Sequence, residues 1–395
     1  MATPSVINSL KEPFYGGSGT LFRSMSEGPT EKATIVTYPD EFDKNEIVGL
    51  AQAAGYKVEA VVTQKRVVKS EYGVGSGKAE ELREMVDENG SKTIIIDESI
   101  TSAQADKLAS MTKVQVIDRE RLILNIFARR ANTAEAKLQV QLAELQYEIP
   151  RARNEVNFLL KKEQPGFFGG GEFAVDIRFR DLKRRMSFVK QKLAKARTRQ
   201  QIQSSERKKL GVPFVSLAGY TSSGKTTLFN RLASESKEES PKLFTTLTTT
   251  TRLIGFPNSK RKVLLSDTVG FISRLPTYLV ESFRSTLEEL KYADLVLLLI
   301  DASEQLDSVR IKLASCRQTL DELEVDPHKV LLVMNKVDLV KGGGLADMQE
   351  DPFFKDFATV RISAVRGDGL RQLRNRILER TSPPKQRSAA IQVDG

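Results

Sequence analysis

An eight-residue loop constrains this chain more than any other feature. Residues 219–226 follow directly on the apolar run Phe214 to Ala218. The glycines allow backbone amides to curl around a polyphosphate, Lys225 can reach the β- and γ-phosphates, and the Thr226 hydroxyl can bind Mg²⁺. The helix that starts near Lys225 directs its positive end at the same anion. The expected nucleotide-binding residues of this loop are Gly219, Tyr220, Thr221, Ser222, Ser223, Gly224, Lys225 and Thr226.

A second motif bears on which base the nucleotide carries. Asn335, Lys336, Val337 and Asp338 follow the predicted buried strand Lys329 to Met334. The carboxylate of Asp338 can accept two hydrogen bonds from the N1 and N2 donors of guanine, whereas adenine would leave it desolvated and unpaired. The motif therefore favours guanine, although Asp is also a common helix N-cap and Asp338 could serve only as one.

Two further strand ends complete the expected site. The predicted strand Lys262 to Ser266 ends beside Asp267, which can hold a water molecule on Mg²⁺. The amide of Gly270 can bind the γ-phosphate, so that backbone movement there links nucleotide state to shape. Residues after the strand Val360 to Ile362 are suited to backbone contacts with guanine O6. The site residues predicted at these strand ends are Asp267, Thr268, Val269, Gly270, Ser363, Ala364 and Val365.

The residue after Gly270 bears on the rate of hydrolysis. Many GTPases carry at this place a glutamine that orients the attacking water, whereas this chain has Phe271. Because an aromatic ring cannot polarise water, we expect slow intrinsic hydrolysis that accelerates when a partner or a rearranged loop supplies the missing polar group. A packing role for Phe271 is compatible with this expectation.

The motifs, in this order along the chain, resemble those of the translation-factor-related GTPases. The sequence motifs Gly-Tyr-Thr-x-x-Gly-Lys-x-Thr and Asp-Thr-Val-Gly-Phe resemble those of the HflX family, in an archaeal-like variant. The resemblance implies catalytic roles for Lys225, Thr246 and Gly270, and makes Thr246 the second Mg²⁺ ligand beside Thr226. The family usually has Asp-Pro where Thr248 and Thr249 stand here. The resemblance places the first switch at Phe244, Thr245, Thr246, Leu247 and Thr248.

The composition excludes several other kinds of chemistry. The chain has 395 residues, enough for about two or three domains, and contains one Cys and one His. A disulfide within the chain, a Cys or His metal site and a Cys/His nucleophile pair therefore all lack members. We expect a cytoplasmic protein without a signal peptide or membrane span, because the longest apolar run, Leu295 to Ile300, is far too short to cross a bilayer.

Ahead of the nucleotide-binding motifs, short strands alternate with helices, which indicates a small parallel sheet covered by helices. The loop from Gly73 to Lys78 resembles the Gly-x-Gly-Lys stretch of the family's amino-terminal domain. Its spacing matches neither a Walker loop nor Gly-x-Gly-x-x-Gly, so a glycine-rich turn is the favoured interpretation and an RNA contact is the alternative. The predicted strands cover residues 33–38, 57–62, 93–97 and 114–117, and the predicted helices cover residues 41–54, 79–88 and 102–110.

The middle of the chain has the pattern of two long helices. Apolar residues recur at a mean spacing of 3.5 residues from Leu138 to Leu159 and from Phe179 to Ala196, and the Gly- and Pro-rich segment 164–172 predicts the tip of an antiparallel hairpin. Residues 151–209 contain 17 Lys or Arg against 6 Asp or Glu, whereas the whole chain has a net charge of +10. Because few acids stand at i+4, nucleic acid phosphate is the expected counter-charge.

Together these patterns predict an α/β fold in five segments. They are a flexible leader (1–31), a small α/β domain (32–118), a basic antiparallel helical hairpin (119–211), a three-layer P-loop GTPase domain with a mostly parallel sheet (212–380) and a flexible tail (381–395). The resemblance implies a Mg²⁺-dependent GTPase that binds GTP and GDP. It also implies a monomer that docks on the RNA of the large ribosomal subunit and separates stalled or idle ribosomes.

Two other functions remain open at this stage. One is a protein-recruiting switch that dimerises through the helical arm, and the other is an RNA-modifying enzyme regulated by the nucleotide-binding domain. Binding driven by phosphate contacts should fall steeply with salt, whereas self-association through an apolar helical seam should not.

Overall fold

A computed structural model of the chain describes residues 31–65, 70–162, 170–209, 211–233, 250–256, 259–340, 348, 350–355 and 357–382, with backbone only at residues 155–162, 170–175, 197–209 and 285. The predicted first switch, residues 244–248, lies outside the described residues. So do nearly all of the predicted leader and tail, and residues 164–169 of the predicted hairpin tip.

The first sheet has four parallel strands in the order β2-β1-β3-β4. The predicted small parallel sheet with covering helices is therefore confirmed. Its strands are β1 (Glu31–Thr37), β2 (Tyr56–Thr63), β3 (Thr93–Ile96) and β4 (Gln115–Asp118), and its helices are α1 (Glu41–Ala53), α2 (Ser76–Asn89) and α3 (Ser102–Thr112).

Local sequence explains where these helices begin. The side chain of Asp40 accepts a hydrogen bond from the amide of Phe42 at 2.8 Å, which caps α1. Thr101 and Gln104 exchange hydrogen bonds in a capping box at the start of α3. Burial then fixes the elements in place, because every residue of β3 is inaccessible to solvent.

Three helices follow the first sheet: α4 (Arg119–Arg130), α5 (Ala134–Lys162) and α6 (Gly170–Lys209). The predicted hairpin segment began at residue 119, but α4 packs against α1, the sheet and α5 instead of extending the hairpin seam. Helix α6 starts at Gly170, within the segment predicted as the hairpin tip. The predicted seam between α5 and α6 is present, with Leu142, Leu145, Ala152, Leu182 and Val189 buried along it.

Polar contacts of Arg151 and Tyr147 bind α5 to the first sheet. The guanidinium of Arg151 donates to the carbonyl of Ile100 at 3.0 and 3.1 Å and forms an ion pair with Asp118. Its Cζ atom lies 3.9 Å from the ring centroid of Tyr147, whose hydroxyl donates to Asp118 at 3.0 Å. These contacts hold the middle of α5 against the residues that follow β3 and end β4.

The second sheet has six strands in the order β10-β9-β8-β5-β7-β6, all parallel except β6, which runs antiparallel to β7. The predicted three-layer GTPase fold is confirmed, and the antiparallel edge strand is an addition to it. Its strands are β5 (Phe214–Gly219), β6 (Thr250–Phe256), β7 (Ser259–Asp267), β8 (Leu295–Asp301), β9 (Val330–Asn335) and β10 (Thr359–Arg361). Its helices are α7 (Lys225–Ala233), α8 (Thr277–Ser282), α9 (Arg284–Tyr292), α10 (Leu306–Glu322) and α11 (Leu370–Arg380).

The longest apolar run of the sequence, Leu295 to Ile300, forms most of β8 at the centre of this sheet and is buried throughout. Such uninterrupted apolar runs are typical of parallel strands covered on both faces. None of the helices in the described part of the chain is both long and apolar enough to cross a bilayer. The carboxyl ends of β5, β7, β9 and β10 share one edge of the sheet, where α/β proteins bind ligands.

Candidate nucleotide-binding site

The loop between β5 and α7 requires glycine at two places. Gly219 has φ 144°, and a Cβ atom there would lie 2.3 Å from the carbonyl oxygen of Leu299. Gly224 has φ 91°, and its Cβ would lie 2.2 Å from Nδ2 of Asn335. Neither distance is possible for a real side chain, so the close approach of neighbouring groups fixes both glycines. The loop is held tightly against the ends of β8 and β9.

Lys225 lies at the centre of this loop. Its Nζ donates to the carbonyl oxygens of Gly219 at 2.9 Å and Tyr220 at 2.7 Å. Burial lowers the pKa of Lys225 to about 8, while the nearby charge of Asp267 opposes the shift. A phosphate in the loop would favour the charged form of this buried amine, so the site suits an anionic ligand.

The predicted Mg²⁺ ligand Thr226, in the first turn of α7, meets Asp267, the last residue of β7 and the residue predicted to hold a water on Mg²⁺. The hydroxyl of Thr226 donates to Oδ2 of Asp267 at 3.0 Å, so both groups present hard oxygen atoms at one point. Such a pair fits Mg²⁺, which is held in proteins by one or two side-chain oxygens together with waters and substrate phosphates. Within the described ranges, no cluster of three or more His, Cys, Asp or Glu side chains suggests any other metal site. The other predicted ligand, Thr246, lies outside those ranges.

Gly270 lies directly against the phosphate loop. A Cβ atom on it would be 2.9 Å from Cγ2 of Thr221 and 3.1 Å from Nζ of Lys225. The next residue continues this contact, because the amide of Phe271 donates to Gly219 at 3.0 Å and its carbonyl accepts from the Thr221 amide at 2.8 Å. The ring of Phe271 is buried in the core and therefore has the packing role considered from the sequence.

Two residues that precede Gly270 serve the fold. Thr268 donates from its hydroxyl to the carbonyl of Leu217 at 2.6 Å, in a fully buried position. Val269 is buried in the same core as Phe271. Both side chains therefore anchor the turn after β7, and a nucleotide contact from either would have to come from the backbone.

The residues predicted to recognise guanine meet at the ends of β9 and β10. Nδ2 of Asn335 donates to the carbonyl of Ser223 at 2.9 Å, and its Oδ1 accepts from the amide of Ala364 at 3.0 Å. Asn335 therefore connects the phosphate loop with the segment 363–365. Ser363 and Ala364 are buried, whereas Val365 is exposed.

Asp338 lies inside a short 3-10 helix, Val337–Leu339, whose N-cap position is Lys336. The N-cap interpretation of Asp338 is therefore wrong. A hydrogen bond with the Ser363 side chain, supported by its own backbone amide and by Arg366 and Lys336, holds the pKa of Asp338 below its usual range. The carboxylate is thus ionised and able to accept hydrogen bonds from a base.

Lys336 shows a contact that the sequence did not indicate. Its backbone has φ 63°, and its Nζ pairs with Oδ2 of Asp301 at 2.5 Å, at the end of β8. A second missed group is Glu46 on α1, which receives a hydrogen bond from the Tyr220 hydroxyl. The only sequence signal for Glu46 is its place on the face of α1 that also carries Phe42 and Leu50.

Three family models match consecutive parts of the chain. Residues 41–128 match the GTP-binding GTPase N-terminal model, and residues 130–207 match the GTP-binding GTPase middle region. Residues 214–336 match the model described as 50S ribosome-binding GTPase.

Curated relatives and one solved structure resemble the chain over most of its length. GTPase HflX of Methanocaldococcus jannaschii is 40% identical over 308 residues, which is 78% of this chain and 75% of the relative. GTPase HflX of Thermococcus kodakarensis is 38% identical over 302 residues, 76% of this chain and 68% of the relative. GTPase HflX of Escherichia coli is 35% identical over 346 residues, 87% and 80% of the two chains. The crystal structure of an SsGBP and GDP complex covers 88% of this chain and 98% of its own, at 27% identity and a TM-score of 0.52.

Proposed function

The chain belongs to the HflX family of GTPases, and from this premise we propose that GTP binding makes it dock on the large ribosomal subunit. It binds guanine nucleotides and hydrolyses GTP. The docked form acts as a monomer in the cytoplasm and separates the subunits of stalled or idle ribosomes, and hydrolysis then permits its release.

The observation that carries the proposal is the contact between the nucleotide site and the helical arm, by which we mean α5 and α6. Helix α8 begins seven residues after Gly270 and contacts α5. The hydroxyl of Ser282 donates to Oε1 of Gln146 at 2.5 Å, and Nε2 of Gln146 donates to Glu281 at 3.3 Å. A backbone shift at Gly270 when the γ-phosphate leaves would therefore reach the arm through one short helix.

The charge of α6 supports RNA as the partner. Its exposed cationic side chains project beyond the apolar seam, and the ring of Phe188 is 55% exposed among them, with Nζ of Lys192 at 4.4 Å from its centroid. An exposed aromatic within a basic surface suits contact with phosphates and stacking on an unpaired base. The exposed cations of this surface are Lys183, Arg184, Arg185, Lys190, Lys192 and Lys195.

Seven of the predicted site residues have chemical roles in this scheme. Lys225 offsets charge on the transferring phosphate, Gly270 and Asp267 respond to the γ-phosphate, and Asn335 with Asp338 selects guanine. Thr226 and Thr246 would hold Mg²⁺, which would supply positive charge to offset the negative charge of the phosphates. With Phe271 buried, intrinsic hydrolysis is slow and the ribosome supplies or orders the missing polar group.

Co-sedimentation with isolated large subunits tests the docking proposal. The wild type and an Arg184→Gln/Lys192→Gln variant are compared with GDP and with a non-hydrolysable GTP analogue over a salt series. We expect pelleting that needs the GTP analogue and a log–log salt slope that falls by about 2 in the variant. Lys44→Gln/Lys57→Gln, which removes the same charge from the first sheet and α1, is the matched control.

Two results would contradict the docking proposal. Pelleting that depends on neither nucleotide nor salt would rule out nucleotide-dependent docking on the ribosome. Concentration-dependent self-association that survives high salt in sedimentation equilibrium would instead favour the protein-recruiting switch. Normal pelleting by the control shows that net charge alone does not explain a loss in the α6 variant.

Asp338→Asn tests the base pocket. The amide can no longer accept two hydrogen bonds from guanine N1 and N2, so we expect affinity for GDP to fall on the order of 100-fold and affinity for xanthosine diphosphate to rise. Competition against a fluorescent GDP measures both. Asp321→Asn, an exposed change on α10, should leave the ratio as it is in the wild type, and unchanged selectivity in Asp338→Asn would place guanine elsewhere.

A further inference from the structure

A buried polar cluster joins the first sheet to the segment that follows Gly270. Nη2 of Arg119 donates to Oε2 of Glu46 at 2.6 Å and to the carbonyl of Ser273 at 2.9 Å, and its Nη1 donates to Asp97 at 2.7 Å. The side chains of Arg119 and Glu46 are 4% and 5% exposed. Charged groups are rarely buried so completely unless their hydrogen bonds are satisfied by specific partners.

The carboxylate of Glu46 contacts two parts of the nucleotide site at once. It accepts a hydrogen bond from the hydroxyl of Tyr220, the second residue of the phosphate loop. It also accepts from the amide of Ser273 at 3.0 Å and from the Ser273 hydroxyl. The Ser273 amide lies 2.6 Å from the Tyr220 hydroxyl as well. One side chain of α1 therefore spans the phosphate loop and the residue three positions after Gly270.

The next residue, Arg274, is held by two carboxylates, one of which, Asp97, also binds Arg119. Arg274 has φ 49°, a left-handed conformation that costs energy for a residue with a side chain. Its guanidinium contacts Oδ1 of Asp43 at 3.0 Å and Oδ2 of Asp97 at 3.1 Å. The segment 270–274 is thus fixed at its start by the backbone pairing of Phe271 with the phosphate loop, and at its end by the first sheet.

This cluster is a costly way to stabilise a fold. Apolar side chains of similar size would stabilise a domain contact as well as or better than a buried ion pair, because charges lose their hydration on burial. Hydrogen bonds add directionality, which apolar packing lacks. Since the Phe271 ring points into the core, the backbone of this segment is its means of contacting the reacting phosphate, and backbone donors are effective only when held in place.

We propose that Glu46 is a positioning residue for GTP hydrolysis, which acts through the Tyr220 hydroxyl and Ser273 to fix the Gly270 amide relative to the phosphate loop. The inference rests on the proposed contact between Gly270 and the γ-phosphate. The carboxylate contacts Tyr220, Arg119 and Ser273, and its proposed role is therefore positioning and not direct catalysis. Its effect belongs to the chemical step, because GDP binding uses the phosphate loop and the base pocket, which remain intact without it.

Tyr220→Phe and Glu46→Gln test the proposal. The first removes the hydroxyl that donates to Glu46. The second leaves one acceptor oxygen, which the Arg119 cation would hold, so that the amide nitrogen faces Tyr220 and the Ser273 amide. Single-turnover hydrolysis gives the rate constant of the chemical step, written kcat below, and titration with a fluorescent GDP gives Kd. Because a small misplacement of a reacting group has a large effect on rate, we expect roughly tenfold lower kcat in each variant. The Kd for GDP should stay within about twofold of the wild type, since the phosphate loop keeps its backbone contacts.

The double variant separates positioning from simple loss of structure. If the two side chains act through one hydrogen bond, Glu46→Gln/Tyr220→Phe should be no slower than the slower single variant. Glu41→Gln, on the exposed side of α1, and Tyr292→Phe, at the end of α9, make the same chemical changes outside the cluster and should keep wild-type kcat. If Glu46→Gln does not fold, Ser273→Ala takes its place in the cycle.

Wild-type or raised kcat in Tyr220→Phe, or additive losses in the double variant, would overturn the proposal. So would equal losses in kcat and in GDP affinity, which would indicate general damage to the phosphate loop. Lys225→Ala distinguishes this failure from a failure of the site itself. If Lys225→Ala still binds GDP normally, the site assignment is wrong, whereas loss of binding there with full kcat in Tyr220→Phe rejects only the role of Glu46.

Discussion

Two glycine-rich turns of this chain contain similar residues and differ in what their glycines do. The turn at 219–226 joins β5 to α7, and the turn at 73–78 leads into α2. In the first, Cβ atoms on Gly219 and Gly224 would lie within 2.3 Å of neighbouring atoms. In the second, Cβ atoms on Gly75 and Gly77 would have no neighbour within 4 Å. Gly73 of the second turn has a positive φ of 73°, and its Cβ would lie 3.1 Å from Cγ2 of Ile100, so the two turns differ at Gly75 and Gly77 and not at every glycine.

The lysines at the ends of the two turns show the same contrast. Lys225 is buried against backbone carbonyls, whereas Lys78 pairs with Glu81 at 2.7 Å on the helix surface, one turn along α2. The turn at 73–78 thus has the features of an ordinary helix start, as the favoured sequence interpretation has it. Its contact with RNA stays a prediction. A phosphate loop is therefore identified by the close approach of neighbouring groups more than by the number of its glycines.

The largest expected difference between the turns concerns their lysines. Lys225→Ala should lower GDP affinity by about 100-fold or more, because it removes the one cation held inside the phosphate loop. Lys78→Ala should leave GDP affinity unchanged. Titration of each purified variant with a fluorescent GDP measures both, and a comparable loss in Lys78→Ala would show that the second turn also serves a nucleotide.

Replacing one glycine of each turn by alanine should give a smaller but clear difference in the free energy of unfolding. Gly219→Ala forces a Cβ atom onto the backbone oxygen of Leu299, so we expect the free energy of unfolding to fall by about 3 kcal/mol. Gly75→Ala should change it by less than about 0.5 kcal/mol, because its φ of −60° suits any residue. Urea denaturation followed by circular dichroism gives both values, and similar losses would break the contrast.

The smallest effect has the opposite sign. Gly77 lies in the first turn of α2 with open space around it, so Gly77→Ala should raise the free energy of unfolding of this domain by about 0.5 kcal/mol through higher helix propensity. Thermal denaturation of the variant beside the wild type detects the shift. A loss of stability would mean that the turn makes a close contact that the structure does not show.

The sequence predicted those parts of the fold and site that depend on residues close together in the chain. Apolar runs and the glycines of 219–226 located β5 and α7, and the motif from Asn335 to Asp338 placed the predicted base pocket at the end of β9. The same local patterns failed at β6, because the threonines of Thr250–Phe256 carry no clear alternation. They also failed at α4, whose apolar spacing suits packing on a sheet as well as a hairpin seam.

The cluster around Glu46 could not be predicted for a different reason. Its hydrogen bond with the Ser273 amide joins residues 227 positions apart in the chain. Helical spacing on α1 places Glu46 on the same face as Phe42 and Leu50, which could have indicated a buried acid. Nothing local in the sequence indicates that Tyr220 and Arg119 are the groups that satisfy it, because that requires the packing of α1 against α4 and against the loop after β5.

Because α5 is anchored at Arg151, a rotation of the helix about this point would displace the far end of the arm. The helix continues for 11 residues beyond Arg151, to Lys162, which is a length of about 17 Å at 1.5 Å per residue. A tilt of about 10° at Arg151 would sweep the far end through about 3 Å, the whole length of a hydrogen bond. A small change of angle at Arg151 would therefore be large enough to make or break contacts at the far end of the arm.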